Sequence, residues 1–421
     1  MFLVISITSI TLFGELKIPS PQSKFFKLKY LLITDSFSPK INSGAVINGD
    51  LVSELLRVGN QVLVVTFQDD LNKSYDYEIQ GKLEVIRISI KNREKSRFHR
   101  ALAEMSYSFK IISVLKSFPI HEVERIIIYS PSIFFGKAAS WLKKKIGSKV
   151  YLIVRDIFPR WALEAGLLRR GVIYYYFKYI ERRLYKSADH LGIESKSDLQ
   201  YFKKYINENK QSIEVLNNWS SPLDTSKISD SSPYIDDSYI NIVYGGNISE
   251  AQDLFSLIKE IDRDILHDNQ AKLTIMGAGQ QKLVIEELLK EINDDSIEIL
   301  SPQDRYTYLS FISKADIGLI SLSKNLKSHN YPLKMLGYIQ LGKPVLASVN
   351  NGNEIIPFLH ENDIGLASIS GDWIEFNQNL KRILSHVQRR KSLSENAIKV
   401  FENEFAVEST VEKINSAFEK N

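Results

Sequence analysis

Two apolar patterns alternate along the chain. Short, uninterrupted apolar runs, typical of strands buried on both faces, are separated by longer segments with apolar residues at helical spacing. The predicted strands are LKYLLIT, VLVVTF, EVIRIS, RIIIY, VYLIV and HLGI in the first half, and INIVYG, KLTIMG, IEIL, DIGLIS and PVLAS in the second. Strands that alternate with helices predict parallel sheets covered by helices, and the pattern occurs twice.

The two halves are separated by a segment rich in Ser, Asp and Pro. The stretch NNWSSPLDTSKISDSSPYIDDSYI has the composition of a linker and precedes a new first strand. We therefore predict an α/β protein with two Rossmann-like domains facing each other across a cleft, with ligands at the carboxyl ends of the strands. The predicted parts are an N-terminal extension outside the fold (1–28), a first domain (29–218), a linker (219–240), a second domain (241–387) and a helical segment able to pack back on the first domain (388–421).

Composition limits the class of protein. A chain of 421 residues is too long for one compact core, and the absence of cysteine excludes disulfides, thiolate metal sites and cysteine nucleophiles. The first 13 residues are apolar but too few to span a bilayer, and no later stretch reaches 18 consecutive apolar residues. Those first residues are either a short tail that touches a membrane or the product of an upstream start site, and we favour the second.

The charge is distributed unevenly. Residues 29–215 carry 31 Lys and Arg against 20 Asp and Glu, whereas residues 216–421 carry 20 against 29. This asymmetry indicates that the first domain alone faces an anionic partner. Nucleic acid is one such partner, but no nucleic-acid-binding motif is present, and we expect none to bind.

Glycines mark three predicted passages from strand to helix. TDSFSPKINSGA precedes a helix beginning near Val46, YGGNISEAQDL opens a helix after INIVYG, and MGAGQQK follows KLTIMG. Without a side chain, Gly44, Gly246 and Gly277 would let a ligand approach backbone amides at a helix start. The alternative is an ordinary loop, or a tight turn that needs a positive φ.

The helix predicted in SHNYPLKMLGYIQLGKPVLA breaks two rules. Gly337 in its middle costs about 1 kcal/mol relative to alanine, and Lys334 places a cation in the first turn, where the dipole favours an acid. A diphosphate there would accept the amides of Tyr331, Leu333 and Lys334 and pair with the lysine ammonium. The alternative is a solvated lysine on a surface helix.

Two further stretches of the first half carry charge. RDIFPRWALEAG places Arg155 and Asp156 directly after the strand VYLIV, where Asp156 could orient or deprotonate an acceptor hydroxyl, or cap a helix. LLRRGVIYYYFKYIERRLYKSAD combines six basic residues with five tyrosines and a phenylalanine, which suits a helix lying on an anionic membrane. WLKKKIGSK and KNREKSRFHR could add to that surface, although basic runs are often simply solvated. The predicted acceptor and membrane residues are Arg155, Arg169, Arg170, Arg182 and Arg183.

Other chemistries have no motif in the sequence. The seven histidines show no HExxH or similar spacing, no acidic cluster has the pattern of a metal cage, and no Ser/His/Asp hydrolase elbow is present. We therefore expect no metal site.

With these motifs in this order, the chain from Lys29 onward resembles a GT-B glycosyltransferase of family 4. More narrowly, RDIFPRWALEAG, VLNNW, YGGNISEAQDL and NYPLKMLGYIQLGKPVLASVNNGNEII resemble the L-fucosamine (N-acetyl-L-fucosamine) transferase branch of bacterial O-antigen and capsule enzymes. The resemblance implies a retaining transferase with no metal or other cofactor. It also implies a UDP-sugar donor and a polyprenyl-diphosphate-linked acceptor at the cytoplasmic face of the membrane.

The chain departs from the wider family at the donor site. The two glutamates of an E-x7-E pattern correspond to His329 and Gly337, and the Arg and Lys after the Gly-rich turn correspond to Asn247 and Gln252. Lys334 therefore becomes the leading candidate for phosphate charge, and Glu354 is a guess for the ribose. The predicted catalytic residues are Asp156 and Lys334; the predicted donor-binding residues are Gly44, Gly246, Asn247, Gln252, Gly277, His329, Asn330, Tyr331, Leu333 and Glu354. Two alternatives remain, a sugar-nucleotide epimerase of the same fold and a non-catalytic partner protein.

Overall fold

The computed structural model describes residues 28–420 except 41, 70, 92–96, 165, 208–209, 225, 227 and 327–330. The predicted N-terminal extension lies outside this part of the chain, apart from its last residue. The described residues form two sheets, each covered by helices, and this confirms the predicted α/β class with two Rossmann-like domains.

The first domain is built on an eight-stranded sheet in the order β3-β4-β2-β1-β5-β6-β7-β8. β3 runs antiparallel to β4, and the other pairings are parallel. The strands are β1 (Lys29–Ile33), β2 (Gln61–Asp69), β3 (Tyr75–Gln80), β4 (Leu83–Ile90), β5 (Arg125–Ser130), β6 (Val150–Val154), β7 (His190–Ile193) and β8 (Ser212–Val215). The helices are α1 (Ser43–Arg57), α2 (Arg97–Met105), α3 (Tyr107–Leu115), α4 (Gly136–Ile146), α5 (Arg160–Glu164), α6 (Val172–Ser187) and α7 (Leu199–Lys203).

Alternate residues of each central strand belong to two different cores. On β1, Leu31 and Ile33 pack under α3, α4 and α6, whereas Tyr30 and Leu32 pack under α1. Successive side chains of a strand point to opposite faces, so a strand covered on both sides must be apolar throughout. This is the reason for the uninterrupted apolar runs in the sequence.

The second domain contains a six-stranded parallel sheet in the order β11-β10-β9-β12-β13-β14. The strands are β9 (Ile240–Asn247), β10 (Ala271–Ala278), β11 (Ile297–Leu300), β12 (Ile317–Ser321), β13 (Val345–Val349) and β14 (Gly365–Ile369). The helices are α8 (Leu254–Glu260), α9 (Arg263–Asp268), α10 (Lys282–Ile292), α11 (Arg305–Lys314), α12 (Leu333–Gln340), α13 (Ile355–Glu361) and α14 (Trp373–Ser385).

The chain passes between the domains twice, and the two passages lie side by side. After α15 (Val387–Val400) and a π-helical turn (Phe401–Phe405), the chain returns to the first domain as α16 (Val407–Glu419), which packs on α1 and β6. At the crossing, the amide of Ser220 donates to the carbonyl of Phe405 over 2.9 Å, and the amide of Val407 donates to the carbonyl of Ser220 over 3.1 Å. Trp219 is buried there and donates its indole N–H to the carbonyl of Ile47.

The strand order reverses at the first strand of each sheet. β1 lies between β2 and β5, and β9 lies between β10 and β12. Ligands of open parallel sheets bind at the carboxyl edge beside such a switch point. We therefore expect ligands to bind at the loops that follow β1 and β9.

Candidate active site

Lys334 lies beside the switch point of the second sheet. It is in the first turn of α12, which begins at Leu333 and is capped by Pro332. Its ammonium nitrogen is 3.7 Å from the ring centroid of Tyr244, on β9, and 3.6 Å from the position that a Cβ on Gly246 would occupy. Among the described residues, that nitrogen is buried and has no hydrogen-bond partner. The lysine therefore points at the carboxyl end of β9.

Burial determines the charge state of Lys334. Burial removes water from its ammonium and lowers the pKa from 10.5 to about 7. The site therefore holds a lysine that is only partly protonated near pH 7. An anion placed against it would restore the charge and fill the missing hydrogen bonds.

The turn after β9 differs from the prediction. YGGNISEAQDL was predicted to open a helix directly, but β9 continues to Asn247 and α8 begins only at Leu254. The reason is that Gly246 and Asn247 stay paired with β10, opposite Gly277 and Ala278. Gly246 has φ +133°, which other residues rarely adopt.

Asn247 and Gln252, the residues at the positions of the family's cations, contact each other. The side-chain amide of Asn247 donates to Oε1 of Gln252 over 3.5 Å, and the hydroxyl of Ser249 donates to the same oxygen over 2.6 Å. The carbonyl of Gln252 accepts from the hydroxyl of Ser321, at the end of β12. The two residues thus hold the loop against the carboxyl edge of the sheet and supply no charge.

Gly277 and Gly44 have steric explanations in the fold. A Cβ on Gly277 would lie 1.9 Å from the carbonyl oxygen of Gly246, so the pairing of β9 with β10 requires a glycine there. A Cβ on Gly44 would lie 3.1 Å from that of Ser36. The helix that contains Gly44 begins at Ser43, three residues before the predicted start, because Asn42 caps it by accepting from the amide of Ala45.

The remaining predicted donor residues fall in different surroundings. His329 and Asn330 lie outside the described residues. The ring of Tyr331 packs at 4.8 Å from that of Phe358, and burial raises the pKa of its hydroxyl. Leu333 is the first residue of α12. The donor contacts predicted for these residues stay predictions.

Gly337 and Glu354 can be placed more closely. No heavy atom lies within 4 Å of the position of a Cβ on Gly337, so this glycine does not serve the packing of a neighbouring helix. Glu354, predicted as a ribose contact, reaches across to the first domain instead. Its Oε1 accepts from the hydroxyl of Ser195 and from the amide of Ser197, the latter over 2.7 Å. A contact between Glu354 and a ribose would therefore either coexist with these two hydrogen bonds or replace them.

Asp156 lies on the first-domain side of the same contact. It follows β6, whereas Ser195 follows the neighbouring strand β7, so both residues lie at one edge of the sheet. The side chain of Asp156 is open to solvent, but the surrounding protein desolvates it and raises its pKa. Arg100 opposes that rise, and the charge of Asp35, at the end of β1, adds to it. Asp156 thus has the surroundings of a group that exchanges protons.

Asp35 and Arg100 were not singled out in the sequence. Arg100 belongs to KNREKSRFHR, a run predicted to add to a membrane surface, but its charge acts on Asp35 and Asp156 at the edge of the sheet. Asn48, also unpredicted, is fully buried and donates to Thr34, Ser36 and Gly44, which holds the loop after β1 in place. A polar residue on the apolar face of α1 was the only signal in the sequence.

Arg155, predicted to face the acceptor or the membrane, is half-buried, and that role stays a prediction. Its guanidinium donates to the carbonyls of Leu216 and Asn217 over 2.6 and 3.2 Å and lies 5.1 Å from the ring centroid of Trp219. These contacts satisfy the backbone where the chain leaves the first domain. Arg155 is therefore a structural residue at the start of the linker.

The other four predicted arginines are exposed, together with large apolar side chains. Val172 and Ile173, at the start of α6, are 88% and 62% exposed. We call the following set the α6 face: Trp161, Leu167, Arg169, Arg170, Val172, Ile173, Tyr175, Tyr176, Tyr179, Arg182 and Arg183. Apolar and aromatic residues exposed among cations are typical of a surface that binds lipid headgroups.

Metal ligands and membrane-spanning helices were also considered for the described residues. They contain no group of three or more His, Asp or Glu residues arranged to hold a metal ion. None of their helices combines the length and the apolar character needed to cross a bilayer.

The fold is that of the GT-B class. Residues 227–400 match the family model described as "Glycosyl transferases group 1". The structure "Trehalose-6-phosphate from E. coli bound with UDP-2-fluoro glucose" superposes with a TM-score of 0.67 at 12% identity, covering 93% of this chain and 99% of that one. The glycosyltransferase WaaG, described as involved in lipopolysaccharide biosynthesis, superposes with a TM-score of 0.59 at 14% identity, covering 92% and 99%.

Among curated proteins, the chain is similar to "Probable glycosyltransferase WbjE" of Pseudomonas aeruginosa. The two are 22% identical over 237 residues, which are 53% of this chain and 57% of WbjE. The matched part thus spans little more than half of that relative. The comparisons show the GT-B fold that the sequence predicted, and both the matching family model and this relative are described as glycosyltransferases.

Proposed function

We propose that this protein transfers a sugar, in the first instance N-acetyl-L-fucosamine, from a UDP-sugar to a polyprenyl-diphosphate-linked saccharide in surface polysaccharide (O-antigen or capsule) assembly. It would work at the inner face of the cytoplasmic membrane, without a metal or other cofactor. The observation that carries the proposal is the buried ammonium of Lys334, which has no hydrogen-bond partner within the described part of the chain and lies beside Gly246, at the switch point of the second sheet.

On the donor side, Lys334 would bind the diphosphate and stabilise it as it leaves. The pocket contains no Arg or Lys at positions 247 and 252, so the charge developing on the leaving group would fall mainly on this one ammonium. A buried cation acts strongly on a developing anion because water does not screen it. The open space beside Gly337 gives the nucleotide room that a glutamate would otherwise occupy.

On the acceptor side, Asp156 would orient the attacking hydroxyl or take its proton. Its pKa is raised by desolvation, which makes its carboxylate a better base than an aspartate with an ordinary pKa. Domain contact through Glu354, Ser195 and Ser197 lies at the neighbouring strand end, so the acceptor hydroxyl and the donor would meet where the domains touch.

The donor is tested first by calorimetry with UDP, GDP and dTDP. We expect UDP to bind most tightly. UDP-N-acetylglucosamine then probes Lys334, because neither of its phosphates takes up a proton near neutral pH. Below pH 7 the ammonium is already charged and affinity should be constant. Above pH 7 the free protein must take up a proton to bind, so affinity should fall by up to about tenfold per pH unit.

Buffers with different ionisation enthalpies give the number of protons taken up. We expect about half a proton at pH 7 and close to one at pH 8. Binding without proton uptake would remove Lys334 from the donor site. Binding of none of the three nucleotides would favour a non-catalytic partner protein, and conversion of UDP-N-acetylglucosamine to an isomer without an acceptor would favour the epimerase.

The membrane part of the proposal rests on the α6 face. Replacing Arg169, Arg170, Arg182 and Arg183 with glutamine should weaken binding to vesicles containing phosphatidylglycerol by more than tenfold, since each cation near an anionic surface contributes about 1 kcal/mol. Co-sedimentation at two salt concentrations measures this. The matched control replaces four exposed cations of the second domain, Lys381, Arg382, Lys391 and Lys399. Equal losses in both variants would refute a specific membrane face.

A further inference from the structure

A pocket of about 440 Å³ opens at the carboxyl ends of β2 and β4, away from the donor site. Lysines from three elements line it: Lys73 precedes β3, Lys91 follows β4, and Lys110 lies on α3. Among the residues that the structure describes, no aspartate or glutamate lines the cavity. Three cations around one cavity form a site for an anion with more than one negative charge.

The three lysines differ in their burial and in their contacts. Lys110 is half-buried and donates to the carbonyl of Ser89 over 2.9 Å, which fixes one ammonium against the wall. Lys73 and Lys91 are exposed at the mouth, and Lys73 pairs with Asp76, outside the lining. An anion could therefore recruit both without breaking a buried ion pair. The hydroxyls of Ser74 and Ser106 add polar groups to the same cavity.

An exposed apolar stripe runs beside the pocket. On α2 and α3, Ala103, Ser106 and Lys110 line the cavity. The residues one position earlier, Leu102, Met105 and Phe109, are 50%, 37% and 60% exposed. Because neighbouring residues of a helix are about 100° apart, the two sets form adjacent stripes along the same pair of helices. A polyanionic head and an apolar tail would fit side by side.

We infer that this pocket binds the diphosphate of an isoprenyl-diphosphate-linked acceptor, and that the first isoprene units lie on Leu102, Met105 and Phe109. The inference rests on the proposed function for the class of acceptor. α2 connects the pocket to the reaction, since Arg100 lies one turn before the lining residue Ala103 and its charge acts on Asp156. The saccharide of the acceptor would extend along this edge of the sheet from the pocket to Asp156.

The test uses farnesyl diphosphate and inorganic pyrophosphate, titrated into the full chain carrying Lys334→Met, so that the donor site does not bind them. Lys73→Gln with Lys91→Gln should weaken farnesyl diphosphate binding at least tenfold. The control, Lys203→Gln with Lys204→Gln, removes the same charge from exposed residues at the β8 end of the sheet and should change it less than twofold. Phe109→Ser should weaken farnesyl diphosphate and leave pyrophosphate unchanged.

Equal affinity in the pocket and control variants would overturn the inference. So would loss of binding to phosphatidylglycerol vesicles with unchanged farnesyl diphosphate binding, because the pocket would then serve phospholipid headgroups. This inference and the donor proposal can fail independently. The wild-type chain can fail to bind UDP and still bind farnesyl diphosphate in the pocket, or it can bind UDP and fail to bind farnesyl diphosphate.

Discussion

Replacing Lys334 with methionine is expected to lower kcat/KM for the UDP-sugar by a factor of about 10²–10³, the usual cost of removing a positioned charge from a developing anion. The same change should stabilise the fold. The pKa of Lys334 falls from 10.5 to about 7 on folding, so the unfolded chain binds the proton more tightly between these values. Methionine removes that cost, and we expect the free energy of unfolding at pH 7 to rise by about 4 kcal/mol.

The pH dependence separates this effect from ordinary repacking. Above pH 7 the lysine loses its proton in the folded protein, and near pH 10 it begins to lose it in the unfolded chain as well, so its burial costs the wild type less. The difference in the free energy of unfolding between variant and wild type should therefore shrink as the pH rises from 7 to about 10. Urea unfolding at both pH values measures it. Lys343→Met is the control, because Lys343 is a half-buried lysine of the second domain whose pKa is also lowered by desolvation, yet it follows α12. It should change stability without the loss of turnover, and equal losses of turnover would contradict the role of Lys334.

Trp219→Ala is expected to destabilise the protein by about 3–5 kcal/mol, the usual cost of emptying a buried tryptophan site. The indole is 2% exposed, donates to the carbonyl of Ile47 over 2.9 Å and lies under the guanidinium of Arg155. The change therefore leaves a cavity, removes the hydrogen bond of the indole and weakens the anchor for the linker at once. Urea unfolding followed by circular dichroism measures the loss.

Trp161→Ala provides the matched control for this substitution. Trp161 is 45% exposed and belongs to the α6 face, so its removal should change stability by less than about 0.5 kcal/mol. If the two substitutions cost the same, Trp219 would not be part of the core that joins the linker to the first domain.

Much of the fold was predictable because its central strands are covered on both faces. The eleven predicted strands are all present, since continuous burial leaves a continuous apolar run. The three strands that were missed, β3, β8 and β14, lie at the edges of their sheets. β3 reads YDYEIQ and alternates apolar with polar residues, as a strand open to solvent does. β8 reads SIEV and β14 reads GLASI, so none of the three has the uninterrupted apolar run on which the prediction rested.

The site was predictable only where one residue contradicted its surroundings. Lys334 was conspicuous as a cation at a helix start, and the structure places it beside Tyr244 and Gly246. Arg155 carried an equally clear charge after a strand, but its partners are backbone carbonyls some sixty residues away in sequence. The importance of Asp35 and Arg100 depends on their electrostatic interaction with Asp156. Interactions between residues that are far apart in the chain leave no pattern in the sequence.

The return of α16 to the first domain has a consequence for biosynthesis. Val407, Val411, Ile414 and Phe418 belong to the same core as Tyr30 and Leu32 of β1. Domains of a nascent chain usually fold as they emerge, the N-terminal one first. α1 covers part of this face, but the part under α16 stays uncovered until α16 has left the ribosome, so the first domain is completed only after the second has been made.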